Sequence, residues 1–240
     1  MTRRQALLAR AKDRRDEALR ILDDLSLIDR WSRFGRPVVV GAQPGSRGVV
    51  AACSYEARRY GIHSAMPISE AYRRCRDAVF LPVRMERYKE MSRVVMGILG
   101  DFTPQLQQIS VDEAFLDMSG TRRIFGPPEE AARSIKDRVH ERTELAITVG
   151  GGSSRYIAKL ASAWDKPDGL HIVPEGGEES FVDGLDLDDL WGIGRKTLSR
   201  LKAFRVETVA ALRALSKPEL RGYFGEAAGE YLYRAARGID

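Results

Sequence analysis

The sequence predicts an α+β fold, and three features of the chain lead to that prediction. Through residues 36–173, short apolar runs typical of strands alternate with longer amphipathic stretches typical of helices. A run with two adjacent acids, residues 110–117 (SVDEAFLD), lies near the middle of the chain, and residues 191–240 are basic and helical in pattern. With 240 residues, 43% of them hydrophobic, the chain can bury a substantial core in one large domain or in two to three small ones.

The predicted elements follow in chain order. Residues 1–35 are expected to be helical, because leucine and isoleucine recur at mixed three- and four-residue spacing. Strands are expected at residues 36–41, 49–53, 79–82 and 145–150, and helices at residues 55–60, 68–75, 86–99, 129–142 and 153–164. Two strand-helix-strand passages around a central hairpin indicate a ferredoxin-like arrangement, with helices on one face of a sheet.

The central acidic run is unusual because Asp112 and Glu113 stand among apolar residues. In a regular strand these neighbours would point to opposite faces, and Glu113 would share its face with apolar side chains. We therefore expect two short strands joined by a tight reversal that lets both carboxylates reach a common point. A hard divalent cation with oxygen ligands would explain their closeness, and a solvated hairpin tip is the competing interpretation of these residues alone.

Charge and composition limit the class of partners and the cellular location. The formal net charge is +5, and residues 191–240 carry a surplus of five basic residues, whereas residues 174–190 hold seven acids and no bases. The net positive charge mildly favours polyanionic partners, and the change of sign predicts a linker and a domain boundary. A cytoplasmic location is expected, because neither a membrane-spanning run nor a signal peptide is visible. Cys53 and Cys75 are expected to be reduced and structural, and the three histidines are expected to be structural or at the surface.

The basic segment contains a glycine-rich turn, residues 190–197 (LWGIGRKT), followed by leucines at helical spacing. Gly192 and Gly194 permit a tight hairpin, and the amides at the start of the following helix, beside Arg195 and Lys196, can receive a phosphate. This pattern is typical of a helix-hairpin-helix that binds the DNA backbone without reading bases. A glycine pair in an ordinary helical turn is the alternative.

Taken together, these motifs resemble the Y-family translesion DNA polymerases, and specifically their DNA polymerase IV (DinB-like) branch. The resemblance extends from about Arg36 to Asp240 and rests on residues 54–67 (SYEARRYGIHSAMP), 110–117, 158–169 (AKLASAWDKPDG) and 192–194, which stand in the family's order and approximate spacing. It implies fingers at residues 36–83, a ferredoxin-like palm with the acidic hairpin at residues 84–173 and an all-α helix-hairpin-helix thumb at residues 174–240. Residues 1–35 would form an atypical helical segment.

The resemblance also implies site residues and partners. Asp112 and Glu113 match the family's catalytic metal-binding pair, which would hold two Mg²⁺ ions about 4 Å apart, with Mn²⁺ as a substitute. Tyr55, Arg58 and Lys166 match its contacts to the triphosphate of the incoming nucleotide. The implied partners are primed template DNA and deoxynucleoside triphosphates, with the replication sliding clamp as a further candidate, and the implied state is a monomer without membrane contact.

The chain departs from the family pattern at both ends. The family's first strand, which carries Asp-x-Asp and an aromatic residue, is not found, and Asp13 and Asp16 stand in a charged, helical setting. We expect residues 1–30 to replace that strand, which would cost on the order of a thousandfold in rate. Relatives continue past Asp240 into a little-finger domain, so either the chain is a fragment or it holds DNA with less surface, which would make binding weaker and salt-sensitive. A non-catalytic DNA-binding scaffold in DNA repair is the alternative function.

Overall fold

The structure is a computed structural model that describes residues 35–240. Contacts divide the chain into two compact units, whose described parts are residues 35–97 with 108–114 and residues 98–107 with 115–240. The strands are β1 (Val38–Gly41), β2 (Val50–Cys53), β3 (Val79–Leu81), β4 (Leu106–Gln108), β5 (Ala114–Leu116), β6 (Val149–Gly151) and β7 (Leu170–Ile172). The helices are α1 (Tyr55–Arg58), α2 (Ile68–Arg74), α3 (Met85–Gly100), α4 (Arg122–Phe125), α5 (Pro128–Thr143), α6 (Arg155–Trp164), α7 (Glu178–Asp183), α8 (Arg195–Ala203), α9 (Val209–Ala214), α10 (Lys217–Phe224) and α11 (Glu226–Ala235).

Strand β1 is the centre of a three-stranded sheet with the order β2-β1-β3. It runs antiparallel to β2, with Val39 opposite Cys53, and parallel to β3, with Val39 opposite Phe80. All four residues of β1 are buried, which explains why the strand is an unbroken apolar run and does not alternate. Gly41 ends the strand where no side chain fits, because a Cβ there would lie 2.5 Å from the Val49 carbonyl oxygen.

The core of the first unit joins this sheet to α1 and α2. Mostly small and branched side chains fill it, so the two short helices can approach the strands closely. Its buried members are Val39, Val50, Ala57, Ile62, Met66, Ile68, Ala71 and Cys75.

Strands β4 and β5 pair to form a hairpin around the acidic residues. The loop between them is residues 109–113, and the Ile109 and Ser110 amides both donate to the Glu113 carbonyl oxygen, at 2.9 and 3.2 Å. The predicted pair of short strands with a reversal that carries both acids is confirmed.

Strands β6 and β7 are parallel, and α6 connects them. The helix lies directly on β6, since a Cβ on Gly150 would fall 2.1 Å from the Ser162 amide nitrogen. Glycine at this position therefore allows the closest approach of helix to strand. Ser154 starts α6, and its hydroxyl oxygen accepts a hydrogen bond from the Ile157 amide at 3.2 Å.

The helices from α7 to α11 share one apolar core with α6. Thr208 begins α9 as its N-cap, and Ser216 begins α10 with a capping box to Glu219. The core contains Tyr156, Ile157, Leu160, Ala161, Val173, Val182, Leu185, Leu187, Leu190, Ile193, Leu201, Val206, Val209, Leu212, Leu220, Phe224, Leu232, Ala235 and Ala236.

The α+β class predicted from the sequence is confirmed, and the described strands form three small sheets of three, two and two strands. The strand predicted at residues 145–150 is wrong in its first four residues. Pairing begins only at Val149, because the opposite strand β7 has three residues and offers no partner to residues 145–148. Residues 1–34 of the predicted N-terminal helix, with Asp13 and Asp16, lie outside the described residues.

Cys53 and Cys75 are both free thiols. Within residues 35–240, no helix combines the length and the apolar content that spanning a membrane requires.

Candidate active site and nucleic-acid interface

The acidic loop presents Asp112 at the surface, and Glu113 is half-buried. The Asp112 carboxylate accepts a hydrogen bond of 2.6 Å from the Ser110 hydroxyl, and the Asp112 amide donates to the same hydroxyl oxygen at 3.2 Å. These two bonds close a small turn that holds the Asp112 carboxylate in one orientation.

A glutamine side chain ties this loop to a helix. The Gln108 side-chain amide donates to the Ser110 carbonyl oxygen at 2.8 Å and to the Ser92 hydroxyl at 3.2 Å. Ser92 is buried on α3. Because these contacts lie within the first unit, the acidic loop has a defined position against α3 there.

The chemistry of the acid pair suits a hard divalent cation, since Asp112 and Glu113 offer carboxylate oxygens. In the part of the chain that the structure describes, no group of three or more Asp, Glu, His or Cys side chains could hold a metal ion. The pair therefore fits a divalent cation in ligand type, and the described residues supply at most two of its carboxylate ligands.

Tyr55 and Arg58 lie one turn apart on α1, on the same side of the helix. The Arg58 guanidinium carbon is 5.5 Å from the centre of the Tyr55 ring, and both side chains are exposed. Ser54 fixes the start of this helix, because its hydroxyl oxygen accepts from the amides of Ala57 (3.4 Å) and of Val38 in β1 (3.1 Å). The result is a phenol and a guanidinium side by side on a short helix anchored to the central strand, both of them good donors to an anion.

The thiol of Cys53 lies close enough to Arg58 to sense its charge. Burial raises the pKa of the Cys53 thiol, and the positive charge of Arg58 acts in the opposite direction. The thiol also donates to the Ile62 carbonyl oxygen at 3.4 Å. Cys53 is therefore protonated at neutral pH, as a structural cysteine would be.

Lys166 is exposed in the loop between α6 and β7, in the second unit. A second lysine, Lys136 on α5, holds this loop. Its ammonium donates to the Asp168 carbonyl oxygen at 2.8 Å, pairs with the Asp168 carboxylate and also donates to the Ile147 carbonyl oxygen. One largely buried ammonium thus restrains the segment that carries Lys166.

The predicted glycine hairpin is present before α8. Gly192 has φ +87°, a conformation that favours glycine. The Ile193 side chain is buried, and its amide donates to the Leu190 carbonyl oxygen at 3.0 Å. Gly194 is the N-cap of α8.

The first turn of α8 is basic. Arg195 and Lys196 are exposed, and the turn contains no acidic residue. The amides of a first turn have no acceptor within the helix and attract anions, and these two side chains add positive charge. This end of α8 can therefore bind a phosphate group.

The predicted site residues are distributed over both units. The first unit contains Tyr55, Arg58, Asp112 and Glu113, and the second contains Lys166, Gly192, Gly194, Arg195 and Lys196. Within the units, Tyr55 and Arg58 form one local pair, and Asp112 and Glu113 form another.

Sequence reasoning did not find the residues that hold these groups in place. Ser110 and Gln108 orient the acidic loop, Lys136 restrains the loop of Lys166, and Tyr231 contacts the glycine hairpin. Only Ser110 had a local signal, since a serine two residues before an aspartate is a known turn pattern. Lys136 and Tyr231 are 32 and 40 residues from their partners, so no short-range pattern reveals them.

The sequence also matches two protein-family profiles. Residues 26–163 match the profile of the impB/mucB/samB family, and residues 188–240 match the thumb domain of DNA polymerase iota. The DNA polymerase IV of Treponema denticola is 47% identical over 211 residues, which are 88% of this chain and 53% of that protein. The DNA polymerase IV of Alkalilimnicola ehrlichii is 46% identical over 212 residues, 88% of this chain and 59% of that protein.

Solved structures show the same fold. An insertion ternary complex of Dbh DNA polymerase superposes with a TM-score of 0.79 at 28% identity, covering 92% of this chain and 65% of that one. DinB from Sulfolobus solfataricus superposes with a TM-score of 0.78 at 28% identity. The match covers 89% of this chain and 62% of that one.

The chain thus spans a little over half the length of the curated relatives just compared. The family profile nevertheless covers more than half of this chain, and its residues include the acidic loop and α1. On these grounds the chain belongs to the impB/mucB/samB family and, within it, to the DNA polymerase IV (DinB) branch of the Y-family DNA polymerases.

Proposed function

We propose that this chain carries the nucleotidyl-transfer site of a translesion DNA polymerase, which adds deoxynucleotides to a primer 3′ end opposite damaged template bases. The observation that carries the proposal is the β4–β5 hairpin with Asp112 and Glu113 in its loop, inside the region that matches the family. Relatives named DNA polymerase IV, and a Dbh polymerase solved as an insertion ternary complex, support it.

Asp112 and Glu113 would hold the divalent cations through their carboxylate oxygens. When bound, two Mg²⁺ ions, or Mn²⁺ in their place, would stabilise negative charge on the attacking and leaving oxygens. The turn made by the Ser110 hydroxyl keeps the Asp112 carboxylate oriented before any ligand arrives. Less reorganisation is then required when the site is filled.

Tyr55, Arg58 and Lys166 would bind the triphosphate of the incoming nucleotide. The phenol, the guanidinium and the ammonium are all hydrogen-bond donors, and all three side chains are exposed. The anchoring of α1 by Ser54 and of the Lys166 loop by Lys136 limits the freedom that these donors lose on binding.

The exposed side chains of β2 are small. Ala51 and Ala52 lie at the surface of the fingers sheet, next to the helix that carries Tyr55 and Arg58. Small side chains over a nascent base pair would leave room for a damaged template base. Weak selection against wrong pairs would follow, because geometric rejection needs close contact.

We also propose the domain limits and partners that follow from this function. The fingers would comprise residues 36–83, the palm residues 84–173 and the thumb residues 174–240, with residues 1–35 as a separate helical segment. Primed DNA and deoxynucleoside triphosphates are the substrates, the replication sliding clamp is a candidate partner, and the chain would act as a monomer.

Primer extension tests this function. The wild-type chain, supplied with Mg²⁺ or Mn²⁺, should extend a primer, and Asp112→Asn should lower the rate by about a thousandfold, because the variant keeps the size of the side chain and removes its charge. Asp77→Ala is the control, since it removes an exposed aspartate elsewhere in the first unit. Equal rates for wild type and Asp112→Asn would exclude catalysis at this pair.

The alternative is a DNA-binding scaffold without catalysis. One observation favours it: the sequence lacks the Asp-x-Asp strand with which relatives in this family begin. A wild-type chain that binds primed DNA but does not extend it with either cation would establish this alternative.

A further inference from the structure

A tyrosine on a distant helix touches the glycine hairpin of the thumb. Tyr231 lies on α11, and its hydroxyl donates a hydrogen bond to the carbonyl oxygen of Trp191, forty residues earlier in the chain. Its ring lies directly against Gly192, where an added Cβ would come within 2.5 Å of the tyrosine hydroxyl oxygen. The contact therefore depends on both the tyrosine and the missing side chain of Gly192.

Other contacts among the described residues also restrain the hairpin, and the Leu198 amide donates to the Gly194 carbonyl oxygen at 3.0 Å. Ile193 is anchored by its buried side chain and by its amide, which donates to the Leu190 carbonyl oxygen. The Trp191 ring lies 6.4 Å from the ring of Phe115, centre to centre. Gly192 and Gly194 have no side chains to hold them, and glycine loses more backbone freedom on ordering than any other residue. The hydrogen bond from Tyr231 thus acts on the peptide unit that enters the part of the loop with the two glycines.

This bond should contribute little to the stability of the fold. Tyr231 is 38% exposed and Trp191 is 45% exposed, so water can replace the bond if the hydroxyl is removed. The buried Ile193 and the contact between Trp191 and Phe115 would remain. The bond contacts the carbonyl of the peptide that joins Trp191 to Gly192, and this peptide leads into the amides at the start of α8.

We propose that Tyr231 is a positioning residue for DNA-backbone binding, which holds the Trp191–Gly192 peptide so that the hairpin amides face a phosphate group. The inference rests on the proposed function, because it assumes that the hairpin binds DNA. It adds a residue on α11 to a binding element otherwise made of residues 192–196.

The variant that tests this is Tyr231→Phe in the whole chain, which keeps the ring and removes the donor. Tyr233→Phe is the matched control, because it removes a hydroxyl two residues along the same helix and keeps the ring stacked on Arg237 at 3.7 Å. Three quantities are measured for each chain: amide hydrogen exchange at residues 192–196 without DNA, the Kd for a primed duplex by fluorescence anisotropy, and the midpoint of thermal unfolding.

We expect Tyr231→Phe to exchange faster at residues 192–196 and to raise the Kd about 3- to 10-fold, the range that one neutral hydrogen bond supports. The midpoint of thermal unfolding of Tyr231→Phe should equal the midpoints of the wild type and of Tyr233→Phe. An unchanged Kd would overturn the inference and leave the proposed function standing. A loss of affinity that matches a loss of thermal stability would assign Tyr231 to the fold and would also overturn it. No DNA binding by the wild type would refute the proposed function itself.

Discussion

One hydroxyl group, that of Ser110, decides how Asp112 is presented. Regular strand geometry would put Asp112 and Glu113 on opposite faces, but both lie in the loop between β4 and β5, outside the regular strands. The serine closes the turn on Asp112, and Gln108 ties the same turn to α3. At this scale, the identity of the acids could be predicted from the sequence, and of their two supports Ser110 had a local sequence signal whereas Gln108 had none.

Another hydroxyl, on Tyr156, is buried at a cost. The residue is 3% exposed, its hydroxyl has no hydrogen-bond partner among the described residues, and burial raises its pKa well above the ordinary value of 10.0. Tyr156→Phe should therefore raise the free energy of unfolding at pH 7 by up to about 1 kcal/mol, since an unsatisfied buried hydroxyl is removed. Denaturant unfolding measures this change. A loss of stability beyond 1 kcal/mol would show that the hydroxyl has a partner.

The same tyrosine predicts a dependence on alkaline pH. Because its pKa is higher in the folded chain than in the unfolded chain, the folded state holds the proton more tightly, and the wild type should lose stability as pH rises above 10.0. The phenylalanine variant lacks this contribution. Its stability should decline less steeply across the same pH range, and parallel curves would contradict the assignment.

Among the elements, helix α10 begins with a capping box formed by Ser216 and Glu219. The Ser216 hydroxyl oxygen accepts from the Glu219 amide, and the Glu219 carboxylate accepts from the Ser216 amide at 2.8 Å and from its hydroxyl at 2.6 Å. Ser216→Ala should lower the free energy of unfolding by about 1 kcal/mol at pH 7, and Ser199→Ala, an exposed serine inside α8, should change it much less. Equal effects would show that the cap contributes nothing specific.

The contribution of this cap to stability should also depend on pH, and the direction of that dependence can be stated. The hydrogen bonds from Ser216 hold the pKa of the Glu219 carboxyl below its usual value of 4.5. Stability from this interaction is present above pH 4.5 and is lost as pH falls through the lower value of the folded state. The difference between wild type and Ser216→Ala should therefore shrink in acid, which unfolding curves at pH 7 and pH 3 would measure.

The loop that carries Lys166 depends on α5 through Lys136. The Lys136 side chain is only 17% exposed and bonds two carbonyl oxygens and one carboxylate. Lys136→Met should cost about 2 kcal/mol of stability and should speed amide exchange at residues 165–169, because those acceptors lose a charged donor. Lys89→Met removes an exposed lysine whose ion pair among the described residues is with Glu86 in the same helix, and it should cost less than about 0.5 kcal/mol. A Lys136 variant as stable as the Lys89 variant would refute the restraint.

On the scale of the whole molecule, the charge distribution predicts salt-dependent DNA binding. The surplus of five basic residues in residues 191–240 equals the net charge of the entire chain. Affinity for primed DNA should therefore fall steeply between 50 and 200 mM salt, by roughly a factor of ten for every two phosphate contacts. Titrations at several salt concentrations measure the slope, and tight binding that is insensitive to salt would contradict it.

Substituting single lysines on α8 shows which part of the salt dependence of DNA binding comes from the hairpin. Lys196→Ala, in the first turn beside the hairpin, should reduce the salt slope by about one unit, because it removes one phosphate contact. Lys202→Ala is the matched control, since it removes an exposed lysine about 9 Å farther along the same helix. Equal slopes for the two variants would show that charge acts diffusely and that the hairpin is not the contact.

The sequence by itself determined the α+β class, the positions of most elements, the acidic hairpin and the glycine hairpin. These features arise from periodicity, turn residues and charge over a few neighbouring positions, which a single chain displays directly. The tertiary structure alone decided which residues support them. Lys136 meets Asp168, and Tyr231 meets Trp191, only because packing brings together segments that are 32 and 40 residues apart. The length of β6 depended in the same way on its partner β7, since a strand extends only where another strand satisfies its backbone groups.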